Sequence, residues 1–456
     1  MVIEKFKIRN LFGMYNIDLN LNDIVTIYVG ENGLGKTTIL NCLYYVLTYN
    51  FDKLKDINFE SIEIKFESKR KFRINYTDIL EYTRDRMNYH NYEDERYYRY
   101  IQDIFNEEDI VKVINIVKNE QYDMSTILRK YGLKLSEVTG MPLRMAERTI
   151  YRFCLERLNN KIEGNAENVV KLLEFIKENS ISDNVIYFTT YRRIEKNFFD
   201  TNKNTREYDD IRMRKANNLI HFGMDDILDL INKNLDNIRT LAISGYNEMT
   251  GLLLKQYLES DIKESEKYKI NSQKLNIALD RIGDKIDEKT KNKIKKEIVN
   301  NNCLKDENKY LLNLLENLIK NYEKQNEYDE KIRNFANTCN KYLNGKKFEY
   351  NESSVEVKII NLESNTPISI NNLSSGEKQI ISIFAKLYLD TEKKSILLID
   401  EPELSLSIKW QSMLIPDIVS TNKCEKIVVV THSPFIFDNE YERNTKSMKN
   451  VFKYKG

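Results

Sequence analysis

The stretch Gly30-Glu31-Asn32-Gly33-Leu34-Gly35-Lys36-Thr37-Thr38 limits what this chain can be more than any other. It fits G-x-x-x-x-G-K-[ST], and its flanks fit as well. Ile24 to Val29 is a short, β-branched apolar run that reads as a buried strand. Ile39, Leu40, Leu43, Tyr44 and Leu47 then recur at helical spacing. Strand, glycine loop and helix is the order that phosphate binding requires. Glycines let the backbone wrap the phosphates, and amides at a helix N-terminus point at the anion. Gly30, Asn32, Gly33, Gly35, Lys36, Thr37 and Thr38 are therefore expected to bind a nucleoside triphosphate. Lys36 supplies a point charge near the β- and γ-phosphates, and the Thr37 hydroxyl is a ligand for Mg²⁺.

A second group of signals lies near the other end of the sequence. Leu373-Ser374-Ser375-Gly376-Glu377-Lys378-Gln379 precedes an apolar helical pattern of Ile380, Ile381, Ile383, Phe384 and Leu387. The serines and Gly376 stand where a helix cap belongs, so this N-terminus can offer amides and hydroxyls to an anion or be an ordinary cap. Ser395 to Ile399 is a buried strand ending in the adjacent carboxylates Asp400 and Glu401. In a P-loop ATPase the strand-end Asp helps to hold Mg²⁺ and the following Glu polarises the attacking water. Ile427 to Thr431 is a further buried strand, and His432 at its end is a candidate sensor of the γ-phosphate.

Between these regions the character changes. Ile62 to Phe66 and Lys71 to Tyr76 read as a hairpin, and Leu128 to Val138 and Val169 to Lys177 as helices. Asn184 to Tyr191 reads as a strand returning to the core sheet. Proline is absent from residues 206 to 345, which suits long helices. Leu311, Leu312, Leu314, Leu315, Leu318 and Ile319 form a stripe read as a helix pair within the chain or a dimer seam. Ser354 to Ile360 alternates as a strand. The expected organisation is a first lobe with the P-loop (1–80), a mainly helical insert or dimerisation region (81–345), and a second lobe (346–456). The fold class is mixed α/β, with antiparallel strands at the N-terminus and a large inserted helical region.

Composition excludes some functions. With 71 basic and 70 acidic residues the formal charge is +1, so no global field draws the chain onto nucleic acid or an anionic membrane. Binding of nucleic acid through a local basic groove stays open. No apolar run approaches the roughly 20 residues of a membrane span. The five cysteines lack metal-ligand spacing and suit reduced thiols, so a cytoplasmic location is expected.

Taken in order, the P-loop, Leu373-Ser374-Ser375-Gly376-Glu377, Asp400-Glu401 and His432, with a helical insert between, resemble ABC-type ATPases of the SMC/RecF/OLD group. The resemblance covers roughly residues 1 to 76 and 348 to 440. It implies two protomers meeting head to tail around two ATP molecules. Ser374, Ser375, Gly376 and Glu377 would then face the partner's nucleotide, with Ser374 and Gly376 reaching its γ-phosphate. Lys36 and Thr37 would hold phosphate and Mg²⁺, Asp400 would support the metal, Glu401 would be the catalytic base and His432 the switch. No glutamine stands convincingly at the Q-loop position, where Arg192 or Arg193 is expected to substitute. Ser407 occupies a place often held by histidine in OLD-like ATPases.

Shorter strings, Asn10 to Gly13, Thr190 to Glu195 and Phe222 to Asp226, resemble ATPase subunits of bacterial anti-phage systems. The PtuA ATPases of Septu systems and their relatives in retron operons are the nearest in pattern, with the PARIS ATPases a competitor. This implies a regulatory ATPase, a homodimer or higher homo-oligomer, controlling a nuclease. No TOPRIM module is expected after His432, and three histidines are too few for an HNH cluster. The nuclease is thus expected on a separate HNH-type (or TOPRIM-type) subunit. Arg84 to His90 has the R-x-H spacing of HEPN ribonucleases and is read as a solvated helix face. The alternative function is a DNA-repair or DNA-end-binding ATPase of the RecF/SMC type. A transporter ATPase fits poorly, because such proteins carry only a short helical subdomain.

Overall fold

The computed structural model describes residues 3–31, 33, 35–90, 101, 124–143, 145–146, 149–150, 166–189, 224–259, 271–283, 286–299 and 309–454. The first strands are β1 (Ile3–Leu11), β2 (Tyr15–Asn20), β3 (Val25–Val29), β4 (Ser61–Phe66), β5 (Lys71–Asn75) and β6 (Val185–Phe188). Later ones are β7 (Lys346–Asn351), β8 (Glu356–Asn361), β9 (Ser395–Asp400), β10 (Cys424–Thr431), β11 (Thr445–Ser447) and β12 (Phe452–Tyr454). Helices α1 (Lys36–Leu47), α2 (Phe51–Leu54), α3 (Tyr76–His90), α4 (Met124–Thr139) and α5 (Ala166–Glu178) precede β6. Then come α6 (Asp225–Glu259), α7 (Ser272–Arg281), α8 (Glu288–Val299), α9 (Lys309–Asn340), α10 (Ser375–Ala385) and α11 (Ile408–Ser420).

Two units share the chain. One comprises residues 1–24, 33–185 and 447–456, the other 25–32 and 186–446. In the first, alternation of apolar and polar residues builds an antiparallel sheet of order β12-β2-β1-β4-β5. The central β1 pairs Phe6 with Leu19 on one side and with Ile64 on the other. The sequence reading extended the β5 strand to Tyr76. The structure starts α3 there instead, because Asp78 Oδ2 accepts from the Asn75 backbone N–H at 2.8 Å and turns the chain. Arg84 to His90 does lie on a helix, the last turns of α3.

In the second unit the order is β11-β3-β10-β9-β6. The pairs β3–β10 and β10–β9 are parallel. Every residue of β9 is buried, as continuous apolar runs require when both sheet faces are covered. The described part of the returning strand is Val185–Phe188, beside β9, and Asn184 closes a 3₁₀ turn before it. Strand β8 begins at Glu356 because Asn351 Oδ1 accepts from the Ser353 and Ser354 amides (3.0 and 3.1 Å), which places Ser354 in a turn.

The leucine stripe lies on α9, where Leu315, Leu318, Ile319 and Tyr322 pack with Leu275, Ala278 and Leu279 of α7. The stripe thus pairs helices within the chain. Arg281 joins the same two helices: its guanidinium reaches Gln325 Oε1 and Asp329 Oδ1, both at 2.5 Å. Helix α6 packs against α9 so closely at Gly245 that an added Cβ would sit 1.8 Å from Asn321 Oδ1. Alanine gains about 1 kcal/mol over glycine in an exposed helix. Overpacking costs about 1–3 kcal/mol, and Asn321 is bonded to the Ala242 carbonyl and to Gln325. Gly245→Ala should therefore destabilise the protein, seen as a lower urea midpoint. An unchanged or raised midpoint would show that the two helices separate freely.

Candidate functional site

The phosphate loop begins where β3 ends. Gly30 N–H donates to Thr431 O at 3.3 Å, so the start of the loop is tied to the end of β10. Gly33 and Gly35 have φ of +85° and +70°, a left-handed conformation that glycine adopts without strain. Gly35 is the residue before α1, and no side chain caps that helix start. The first turn contains Lys36, Thr37 and Thr38 and no acidic residue, the arrangement that suits an anion. The Lys36 side chain is buried and Thr37 is exposed. Asn32 lies outside the described residues, as do Arg192 and Arg193.

The register of the parallel strands brings their carboxyl ends together. Val29 stands opposite Thr431, and Val430 opposite Asp400. Gly30, Asp400, Glu401 and His432 consequently gather at one sheet edge, where open parallel sheets bind ligands. Asp400 is the last residue of β9 and is 1% exposed. Glu401 follows with φ +47°, a strained value for a residue with a Cβ, while its N–H donates to Val430 O at 2.8 Å. The Asp400 carboxylate is a hard oxygen donor of the kind Mg²⁺ takes, and so, in the other unit, is the Thr37 hydroxyl. Among the described residues no cluster of His, Cys, Asp or Glu is built to hold a metal by protein ligands alone.

A carboxylate that sequence reasoning left without a role completes this edge. Glu403 Oε1 accepts from the backbone N–H of His432 at 2.8 Å and lies 2.8 Å from its ring Nδ1. It stands in the Asp400-Glu401-Pro402-Glu403 run, but nothing in the sequence says which way it turns. Gln411 was also missed. It accepts from Ser433 Oγ at 2.6 Å and donates to Leu406 O at 2.9 Å, bracing the segment after His432. Ser407 caps α11 by accepting from the Trp410 amide.

Helix α10 carries the Ser374–Glu377 group. Ser374 Oγ accepts from Glu377 N–H and Glu377 Oε2 accepts from Ser374 N–H, a reciprocal capping box. Ser374 and Ser375 are exposed, whereas Gly376 and Glu377 are buried. A Cβ on Gly376 would meet the Ser405 carbonyl oxygen at 2.3 Å. Gln379 Nε2 donates to Pro402 O at 3.1 Å, so α10 grips the loop carrying Glu401 and Glu403.

Lys346 holds both Glu377 oxygens, at 2.9 and 3.0 Å. Burial alone would raise the Glu377 carboxyl, but the Lys346 ion pair and the bonds with Ser374 hold it below the usual carboxylate range. A carboxylate depressed by folding stabilises the fold above its unfolded value, and that stability is lost as pH falls through the folded one. Acidification below the ordinary carboxylate range should therefore loosen this turn, with faster hydrogen exchange at the Ser374 and Glu377 amides. Lys346→Ala should move the onset to higher pH. An onset that does not move would remove Lys346 as the cause.

Burial pushes the Cys42 and Cys424 thiols up to about 12 and holds Cys339 well above the ordinary thiol value, which makes all three poor nucleophiles. Among the described residues no helix is long and apolar enough to cross a membrane.

The model of the AAA ATPase domain family matches residues 1–437. Over 104 residues, 20% of this chain, the sequence is 33% identical to the Retron Ec83 probable ATPase of Escherichia coli. The match spans 19% of that relative's length. Among solved structures, the Smc head domain of Pyrococcus furiosus, bound to the C-terminal domain of ScpA, shares 13% identity. That comparison covers 99% of this chain and 95% of the other, with a TM-score of 0.36. For the Smc head domain of Pyrococcus yayanosii the values are 15% identity, 100% and 96% coverage, and a TM-score of 0.31.

Proposed function

The chain belongs to the AAA ATPase domain family, and we propose that it binds and hydrolyses ATP, slowly, as the regulatory subunit of an anti-phage defence complex. The observation that carries the catalytic part is the gathering of Gly30, Asp400, Glu401 and His432 at the carboxyl ends of β3, β9 and β10. The P-loop amides and Lys36 bind the phosphates. Thr37 and Asp400 are the residues that would hold Mg²⁺, which would supply positive charge to the phosphate oxygens. Glu401 accepts the proton of the attacking water. His432 contacts the terminal phosphate. The exposed Ser374 and Ser375 of a second copy close the site, so the working unit is a homodimer or a larger homo-oligomer. Arg192 or Arg193 takes the Q-loop's part.

The defence reading is supported by the stretch shared with the retron ATPase, and by near-neutral charge, which suits a protein partner better than a nucleic acid. Its partner would be a small HNH-type or TOPRIM-type nuclease, as in the Septu-type systems whose ATPases its short strings resemble. Native mass spectrometry of the protein expressed with its flanking genes, with and without ATP, tests this. A stable complex with a small nuclease supports it. A lone dimer that forms only with ATP and binds DNA in a salt-sensitive way would replace it with a DNA-repair role.

A further inference from the structure

Glu403 carries a charge to which the hydrolytic scheme gives no task. Its side chain is 5% exposed, while that of His432 is 42% exposed. One oxygen, Oε1, accepts from the backbone N–H of His432 and lies within hydrogen-bond distance of its ring Nδ1, at 2.8 Å. The other oxygen, Oε2, is buried and takes no hydrogen bond among the described residues. A buried carboxylate is costly unless donors compensate it, and here both donors come from one residue. Fixing a backbone amide and a ring nitrogen to the same atom locks the ring against the main chain. The imidazole cannot turn over without giving up its Nδ1 bond. Nε2 is then the nitrogen left to face a ligand.

We propose that Glu403 is a positioning residue that sets the proton placement and direction of His432, so that Nε2 is the atom offered to the terminal phosphate of bound ATP. This rests on the ATPase reading above. The carboxylate stands on a braced loop, since Gln379 holds the Pro402 carbonyl and Gly376 packs on that of Ser405. A histidine oriented by a buried carboxylate keeps one tautomer and one pose, which a contact to a single phosphate oxygen requires.

The test is a double-mutant cycle on the full chain, with the turnover number and the ATP dissociation constant measured separately. Glu403→Ala is expected to lower turnover about 10- to 100-fold, the usual cost of removing a carboxylate that orients a functional histidine, with ATP affinity changed less than about threefold. Glu403→Gln keeps an acceptor for Nδ1–H and should recover part of the loss. In a His432→Ala background, Glu403→Ala should cost nothing further. Equal losses in both backgrounds would show that Glu403 merely holds its loop, and would overturn the proposal.

The chain has three histidines, so ¹⁵N-histidine NMR offers an independent reading. His432 should be protonated at Nδ1 in the wild type and lose that state in Glu403→Ala. A wild-type ring protonated at Nε2 alone would overturn the proposal even in a preparation that does not turn over. Hydrolysis that is absent in the wild type would instead count against the ATPase reading.

Discussion

Lys36→Ala is expected to remove measurable nucleotide binding. The Lys36 side chain is buried at the first residue of α1, a helix start whose first turn holds no acidic residue, where a phosphate would meet its charge. Deleting one member of a buried, hydrogen-bonded charge pair costs about 2–5 kcal/mol. That corresponds to a loss of roughly 30- to 4,000-fold in affinity. Calorimetric titration with ATP checks it. Lys36→Met keeps the buried stem and should lose nearly as much, because the missing charge rather than the missing volume is responsible. If the methionine variant bound ATP like the wild type, Lys36 would not be the phosphate ligand.

Glu401→Gln is expected to do the reverse: ATP binds and stays. The substitution keeps shape and removes only the proton-accepting charge. A positioned general base contributes about 10²- to 10⁴-fold, and turnover should fall by that factor with affinity little changed. An ATP-loaded dimer should then accumulate, visible by light scattering after gel filtration. The backbone at Glu401 has φ +47°, and glutamine meets the same strain, so thermal stability should stay close to wild type. Hydrolysis at the wild-type rate would remove Glu401 as the base.

Much of this was legible in residue order. The P-loop could be read because its glycines and its lysine answer to one local geometry, and the left-handed Gly33 and Gly35 are that geometry. The strands β9 and β10 could be read because unbroken apolar runs have few other uses. The mixed α/β class followed from them. What could not be read depends on approach in space. Glu403 and Gln411 have roles only because two strand ends lie side by side. Strand β12, three residues long, has no periodicity to detect and exists because it pairs with β2. Tyr76 and Ser354 were assigned to strands on hydrophobic and alternating patterns, and short polar side chains, Asp78 and Asn351, outbid those patterns by capturing amides.

The close approach at Gly376 bears on how variants of the α10 start can be interpreted. Any side chain there would drive into the Ser405 carbonyl of its own chain, so a Gly376 variant that loses activity reports first on whether its own protomer still folds around the Glu401 loop. It says little about a neighbouring protomer. Ser374 is tied into its own helix cap, so Ser375, whose side chain is exposed, is the position from which communication between two copies can be sought, for instance by mixing a Ser375 variant with a Glu401 variant and asking whether half of the composite sites recover.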